Sequence, residues 1–311
     1  MGRRSRKEME SNDMTEIKKS GIITICGRPN VGKSTLTNAL VGDKVAIVTN
    51  KPQTTRNRIT SVVTRGECQF VLLDTPGLHK ARTRLGDYMV DVVRRSVADV
   101  DAVVLVVEPI ANIGAPEEEL IARIKSLGCP AVLVINKIDT VKKEDLLSVM
   151  AVYGEAIEWS AVMPLSAQKG EGLEELLAIL SAFLPEGPQL FPDGMTSDQP
   201  ERQVAAEIVR EKLLLCLDKE IPHGTAVEIT KWSEREDGVI DMHATIYCEK
   251  ESHKGIIIGK GGAMLKKIST LARKDVEAFM GTKVYLETWV KVKENWRDNI
   301  GLIRNFGYKD D

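Results

Sequence analysis

One stretch near the N-terminus carries the first chemical signal. Gly27, Arg28, Pro29, Asn30, Val31, Gly32, Lys33 and Ser34 match G-x-x-x-x-G-K-[ST] at every fixed position. The glycines let backbone N–H groups turn inward around phosphate oxygens. A helix starting there adds the positive end of its dipole. Lys33 supplies a point charge for β- and γ-phosphates. The Ser34 hydroxyl, with Thr35 beside it, is placed to ligate Mg²⁺. A glycine-rich turn alone would mean little. Here it lies between an apolar run, Ile22–Cys26, and a stretch of helical character, Lys33–Val41, the context such a loop needs.

Three further stretches follow in order. Asp74, Thr75, Pro76 and Gly77 end a second apolar strand, Phe70–Leu73. An aspartate there can hold Mg²⁺ through a water, and the glycine N–H can face a γ-phosphate. Asn136, Lys137, Ile138 and Asp139 follow a strand at Ala131–Ile135. The Asp139 carboxylate suits the N1–H and 2-amino donors of guanine. Adenine has neither in that arrangement and would leave a buried charge unpaired, so GTP is favoured over ATP. Ser166, Ala167 and Gln168 precede a helix, where the Ala167 N–H can reach the guanine O6.

GRPNVGKS, DTPG, NKID and SAQKG resemble the signature stretches of translation-factor-type GTPases. Lys51-Pro-Gln-Thr-Thr-Arg56 resembles switch I of one branch. The resemblance implies a threonine there that binds Mg²⁺ and the γ-phosphate: Thr55, or its neighbour Thr54. The metal set is then Ser34, Thr55 and Asp74, and the catalytic set Lys33, Thr55 and Gly77. Where Ras-like proteins carry a catalytic glutamine, this chain has Leu78. His79 is adjacent but reads as a surface residue. Catalysis would rest on positioning and electrostatics, with slow intrinsic turnover. Similar GTPases with asparagine at the Asn30 position hold a monovalent cation near the phosphates, which implies potassium here.

A second constellation lies far downstream. Gly259-Lys260-Gly261-Gly262 has the G-x-x-G of a KH domain, expected to be led by an apolar strand end at Ile256–Ile258 and followed by a helix. In that module glycines allow close approach of a nucleic-acid backbone. Lys254, Lys260, Lys266, Lys267, Arg273 and Lys274 are basic, with no acidic residue between Lys254 and Lys274. Residues 201–311 as a whole carry 19 basic and 19 acidic side chains, so the positive charge is local. RNA contacts are expected from these six residues and from Gly259, Gly261 and Gly262.

The elements that must position these residues fall into two groups. Residues 20–185 alternate short apolar strands with helices, including Asp87–Val97, Ala102–Val107, Glu117–Ser126 and Leu173–Leu184. The continuous β-branched runs suit a mostly parallel sheet with flanking helices. Residues 186–200 are rich in proline and glycine and read as a linker. Residues 201–311 read as an α+β module. Arg202–Leu217 is a helix, Thr225–Trp232 and Val239–Cys248 antiparallel strands, Ala263–Met280 a helix and Val284–Val292 a strand. Residues 1–19 read as a flexible extension, and Met14 is an alternative start.

Composition sets the outer bounds. The chain has 311 residues, 43 basic and 45 acidic, net −2, so any nucleic-acid affinity comes from a patch. Aromatics are 5%, too few for a surface built on stacking rings. Five cysteines without a C-x-x-C pair read as reduced thiols. The four histidines lack metal-ligand spacing. No apolar run approaches a membrane span, and no secretion signal is visible.

With Trp289-Val-Lys-Val-Lys-Glu-Asn-Trp-Arg297 and Asn305-Phe-Gly-Tyr308, the two-module arrangement resembles the bacterial Era family from about residue 20 onward. That resemblance implies a P-loop GTPase domain followed by a type II KH domain. It implies GTP and GDP as ligands, Mg²⁺ as cofactor, and binding near the 3′ end of 16S ribosomal RNA during assembly of the 30S subunit. It also implies a cytoplasmic monomer that associates peripherally with the inner membrane. The alternative from another class is a membrane-associated regulatory switch with incidental RNA binding. GTPases of the tRNA-modifying or tandem-domain kinds lack a KH module beside a single GTPase domain.

Overall fold

The computed structural model describes residues 16–78, 81, 83–96 and 99–308. His79, Val97, Met14 and most of the expected extension, residues 1–15, lie outside them. Lys18 and Lys19 join the fold. Their amides donate to the Glu67 carbonyl at 2.9 and 3.1 Å, and Lys19 opens the first strand.

The first half runs β1 (Lys19–Cys26), α1 (Lys33–Val41), β2 (Ile59–Arg65), β3 (Cys68–Asp74), α2 (Arg84–Ser96) and β4 (Ala102–Val107). It continues through α3 (Ala115–Leu127), β5 (Ala131–Ile135), α4 (Lys143–Gly154), β6 (Ala161–Pro164) and α5 (Leu173–Ser181). The sheet order is β2-β3-β1-β4-β5-β6, parallel except for the edge strand β2. Every residue of β4 and β5 is buried, as an unbroken apolar run requires of a strand covered on both faces. β2, α4 and β6 were not expected from the sequence. β2 carries Thr60, Ser61 and Thr64 among its apolar residues and pairs antiparallel to β3.

Residues 186–200 do not hang free. The fully buried Gln69 of β3 accepts from the Leu190 and Phe191 amides at 2.8 and 2.9 Å, and donates to the Phe191 carbonyl at 2.9 Å. Val62 donates to the Thr196 carbonyl at 2.9 Å. The segment thus covers the edge of β2 that would otherwise stand unpaired.

The second half runs α6 (Glu201–Cys216), β7 (Ala226–Glu234), β8 (Ile240–Cys248), α7 (Glu251–Ile258), α8 (Ala263–Met280), β9 (Val284–Val292) and α9 (Ile300–Asn305). β8 pairs antiparallel with β7 and parallel with β9. Residues of α6, α7 and α8 share one core with the inner sheet face, among them Ile208, Leu213, Ile257, Ile268, Ala272 and Val276. The strand end expected at Ile256–Ile258 is instead the last turn of α7. His253 and Ile257 are buried while Ile256 is exposed, a helical and not an alternating period. β-Branched residues are indifferent helix formers, and burial of Ile257 overrides that preference.

The two halves share a core of their own. Leu85 and Met89 of α2 pack with Ala226, Tyr247, Trp296, Ile303, Phe306 and Tyr308. Trp296 meets Phe306 edge-on with ring centroids 5.3 Å apart, and its Nε1–H donates to the Gly224 carbonyl at 2.9 Å. Each such buried side chain contributes about 1.5–3 kcal/mol. Among the described residues, no helix is long and apolar enough to cross a membrane.

Candidate nucleotide and nucleic-acid sites

The first site lies where a doubly wound sheet puts ligands, beyond the carboxyl ends of its parallel strands. The loops after β1, β3, β5 and β6 deliver Gly27–Ser34, Asp74–Gly77, Asn136–Asp139 and Ser166–Gln168 to one cleft of about 310 Å³. Its wall includes Pro29, Asn30, Gly32, Lys33, Ser34, Thr35, Gly77, Asn136, Lys137, Asp139, Ser166 and Gln168. Ile47–Lys51, Gln53, Thr54 and Thr55 close another side, and Thr140 joins the base end. The contribution of Ile47–Asn50 had no local signal, because an apolar run followed by Thr-Asn reads as ordinary chain.

Sterics explain the glycines. A Cβ at Gly27, whose φ is +151°, would stand 2.3 Å from the Val106 carbonyl oxygen. One at Gly77 would stand 2.6 Å from the Pro29 nitrogen. The Asp74–Gly77 loop therefore lies directly on the phosphate loop, and the Leu78 amide donates to the Gly27 carbonyl at 3.3 Å.

Charge is concentrated at the centre. Lys33 is buried, its ammonium donating to the carbonyls of Gly27 and Arg28 at 3.1 and 2.8 Å. Burial brings its pKa down to about 8. Asp74 is fully buried, and burial lifts its carboxyl to about 6 against the pull of Lys33. Ser34 Oγ donates to Asp74 Oδ2 at 2.6 Å and shares a hydrogen bond of 2.8 Å with Thr55 Oγ1. Asp74 Oδ1 has no partner among the described residues. Two hydroxyls and a carboxylate with a free oxygen form a hard, all-oxygen donor set, which fits Mg²⁺. The Thr54 hydroxyl instead donates to the Lys51 carbonyl at 2.6 Å and meets Thr49 at 2.6 Å. Of the two candidates, the fold brings Thr55 to Ser34, which itself donates to Asp74.

The remaining motif residues divide. Val31 and Leu78 point into apolar cores, so Leu78 presents no side chain to the cleft. Thr75 donates to the Ile25 carbonyl at 3.0 Å, and Pro76 is buried. Arg28 turns away to α3, where its Nε meets the buried Glu117. Lys137 spans from the Asn30 carbonyl to Glu108, both at 2.6 Å. Asn136 ties two loops together, donating to the Val31 carbonyl at 2.9 Å and accepting from the Ala167 amide at 3.0 Å. The Ala167 amide is thus engaged by Asn136 rather than open to the cleft. Ile138 follows Lys137, whose φ is +63°. Asp139 Oδ1 accepts from Ser166 Oγ at 2.6 Å.

The second site is the turn between α7 and α8. Gly259, Gly261 and Gly262 have φ of +73°, +58° and +80°. Nothing lies within 4 Å of a Cβ built on Gly261 or Gly262, so the turn is open on its outer side. Lys260, Lys266, Lys267, Arg273 and Lys274 are exposed. Lys254 is half-buried, 3.7 Å from Glu251. Arg273 and Lys274 sit about 15 Å along α8 from its start, so the basic groups form a stripe and not a point.

Comparison with known proteins agrees with this two-site architecture. Residues 22–137 match the family model described as a 50S ribosome-binding GTPase, and residues 220–297 match the KH domain model. The GTPase Era of Ruminiclostridium cellulolyticum is 49% identical over 291 residues, 94% of this chain and 98% of that protein. The chain belongs to the Era family of GTPases. The Era protein of Clostridium kluyveri is 48% identical over the same share of this chain and 99% of its own length. A crystal structure of an Aquifex aeolicus Era variant bound to GDP and aluminium fluoride superposes with a TM-score of 0.90 at 38% identity, covering 94% of this chain and all of that one. An Era structure in complex with MgGDPNP and nucleotides 1506–1542 of 16S ribosomal RNA gives 0.91 at 37% identity with the same coverage.

Proposed function

We propose that this Era-family chain binds Mg²⁺ with GTP in the cleft, hydrolyses the nucleotide slowly, and takes the 3′-terminal region of small-subunit ribosomal RNA on the α7–α8 turn. Its place is the assembly of the small subunit. The observation that carries the reading is the meeting of Ser34, Thr55 and Asp74 beside a buried Lys33. This arrangement sets a desolvated cation near a carboxylate whose Oδ1 has no partner among the described residues. A triphosphate gives the Lys33 ammonium, held on the Gly27 and Arg28 carbonyls, its counter-charge, and the metal gives Asp74 Oδ1 a partner.

In this reading Lys33 and the loop amides neutralise the β- and γ-phosphates. Ser34, Thr55 and Asp74 hold the Mg²⁺, which supplies further neutralisation when bound. The Gly77 amide faces the γ-phosphate. Asp139 reads the guanine, and Gln168 and Lys137 flank it. Asn30, on the cleft wall, would hold a potassium ion, which would add positive charge near the phosphates when bound. The RNA site is the Gly259–Gly262 turn with the six basic side chains around it. Support for this half comes from the open turn and from the RNA-bound Era structure that superposes on the whole chain.

The deciding experiment exchanges the base reader. Asp139→Asn should weaken GTP binding roughly a hundredfold, the scale of losing a charged double hydrogen bond. The same variant should gain affinity for xanthosine triphosphate, whose exocyclic oxygen accepts from an amide. If xanthosine triphosphate gains nothing, Asp139 does not face the base.

A further inference from the structure

The stretch Ile47–Asn57, which contains the switch I-like Lys51–Arg56, is fastened to the second domain along its length. The Val48 amide donates to Glu211 Oε1 at 2.9 Å, and the Lys51 ammonium reaches the Leu217 carbonyl. Arg210 donates to the carbonyls of Gln53 and Thr54. The strongest fastening is Arg56. Its side chain is fully buried, although it belongs to a loop of the nucleotide site. Its guanidinium donates to the Thr225 carbonyl at 2.8 Å, the His223 carbonyl at 2.9 Å and the Tyr308 hydroxyl at 3.0 Å. Its Cζ stands 5.7 Å from the Trp296 ring centroid and 5.6 Å from that of Tyr308. Asn57 adds a bond of 3.1 Å to the Gly307 carbonyl.

A buried guanidinium is tolerated only where acceptors and ring faces are already in place. Every such partner here comes from residues 223–308. Thr55 and Arg56 are neighbours, with Cα atoms about 3.8 Å apart. Fixing the guanidinium in the second domain therefore leaves the Thr55 hydroxyl little freedom, and it lands on Ser34 at 2.8 Å.

We propose that Arg56 is a positioning residue of the nucleotide site. Held by Trp296, Tyr308 and the carbonyls of His223 and Thr225, it sets the Thr55 hydroxyl against Ser34 and Asp74, so the docked second domain completes the magnesium-triphosphate site. This rests on the magnesium role proposed above for Thr55. It adds that the residue enforcing that role takes its own partners from the other domain. A diphosphate makes no use of Thr55 in this scheme, so only triphosphate binding feels the anchor.

The test measures binding of GDPNP and GDP, each with Mg²⁺, to the full chain and to Arg56→Lys, Tyr308→Phe and Thr55→Ala. Arg56→Lys keeps the charge and loses the forked donor geometry. It should lose about tenfold in GDPNP affinity, the scale of one charged hydrogen bond. GDP affinity should stay within about twofold on the same scale. Half-saturation by Mg²⁺ at fixed GDPNP should rise in parallel. Tyr308→Phe removes one hydroxyl from an otherwise intact cluster and should shift the same ratio by about threefold, guarding against a folding failure of Arg56→Lys. An unchanged GDPNP-to-GDP ratio in both variants overturns the proposal. So does an equal loss for both nucleotides, which would mean a merely structural role. If Thr55→Ala itself leaves the ratio unchanged, the magnesium reading of Thr55 fails first. If Thr55→Ala collapses the ratio and the other two do not, only the anchor is wrong.

Discussion

Leu78 occupies the position from which a glutamine could orient water, and its side chain is buried among Cys26, Val93 and Leu105. Hydrolysis therefore has to draw on positive charge already present around the phosphates. Asn30 sits on the cleft wall with φ +68°, and its carbonyl is taken by Lys137. Its side-chain oxygen is a neutral ligand atom, a type that suits a weakly hydrated monovalent ion. GTP hydrolysis should be faster in potassium than in sodium at equal ionic strength, by about tenfold if the ion stands in for one charged hydrogen bond. The thermal midpoint of the GDPNP complex should also be higher in potassium, a readout independent of turnover. Asn30→Ala should abolish both differences while leaving GDP binding intact. Equal rates and midpoints in the two salts would remove the cation from the site.

At the scale of elements, the residues joining the two domains are pinned, and Gln69 is the pin. It satisfies the Leu190 and Phe191 amides and the Phe191 carbonyl from a fully buried position in β3. Gln69→Leu keeps the volume and removes all three partners. Stability should fall by about 1–3 kcal/mol, the cost of stranding buried polar groups. Residues 186–199 should exchange amide hydrogens faster and become the first site of limited proteolysis, and unchanged protection would refute the role. Nothing in the local sequence marked Gln69, since its partners lie more than a hundred positions away. The same reasoning separates what was legible from what was not. Ala102–Val107 and Ala131–Ile135 were readable because burial on both faces writes an unbroken apolar run. The phosphate loop was readable because its geometry is local. The edge strand Ile59–Arg65, with its threonines and serine, and the helix Lys143–Gly154 write no such run. Ile256–Ile258 was misread because three β-branched residues favour a strand until Ile257 finds its core. The resemblance put Thr55 ahead of Thr54, but the local sequence does not write the contact that separates them, since Thr55 meets Ser34 across 21 positions of chain.

At the scale of the molecule, the nucleotide cleft and the basic turn lie in different domains, so damage to one should be readable against the other. Lys260 and Gly261 are exposed at the tip of the α7–α8 turn. Gly261 has φ +58°, which aspartate tolerates better than most side chains, and nothing lies within 4 Å of the added Cβ. Lys260→Asp with Gly261→Asp should therefore fold normally, with an unchanged thermal midpoint. It places two negative charges and new bulk on the turn proposed above to take the RNA backbone. Affinity for a single-stranded oligonucleotide of the 16S 3′ region should fall strongly, and for unrelated sequences too, because backbone contacts are lost. The slope of log affinity against log salt should drop by about 0.7 for each phosphate contact removed. GDP and GDPNP affinities should stay within about twofold, since neither residue touches Gly27–Ser34 or Asn136–Asp139. Any acceleration of hydrolysis by RNA should disappear while unstimulated hydrolysis persists. Undiminished RNA binding would make the turn a structural corner and the basic stripe on α8 a solvated face. A joint collapse of nucleotide affinity would show that the anchor at Arg56 transmits strain from the turn itself, and the two domains would then have to be treated as one cooperative unit.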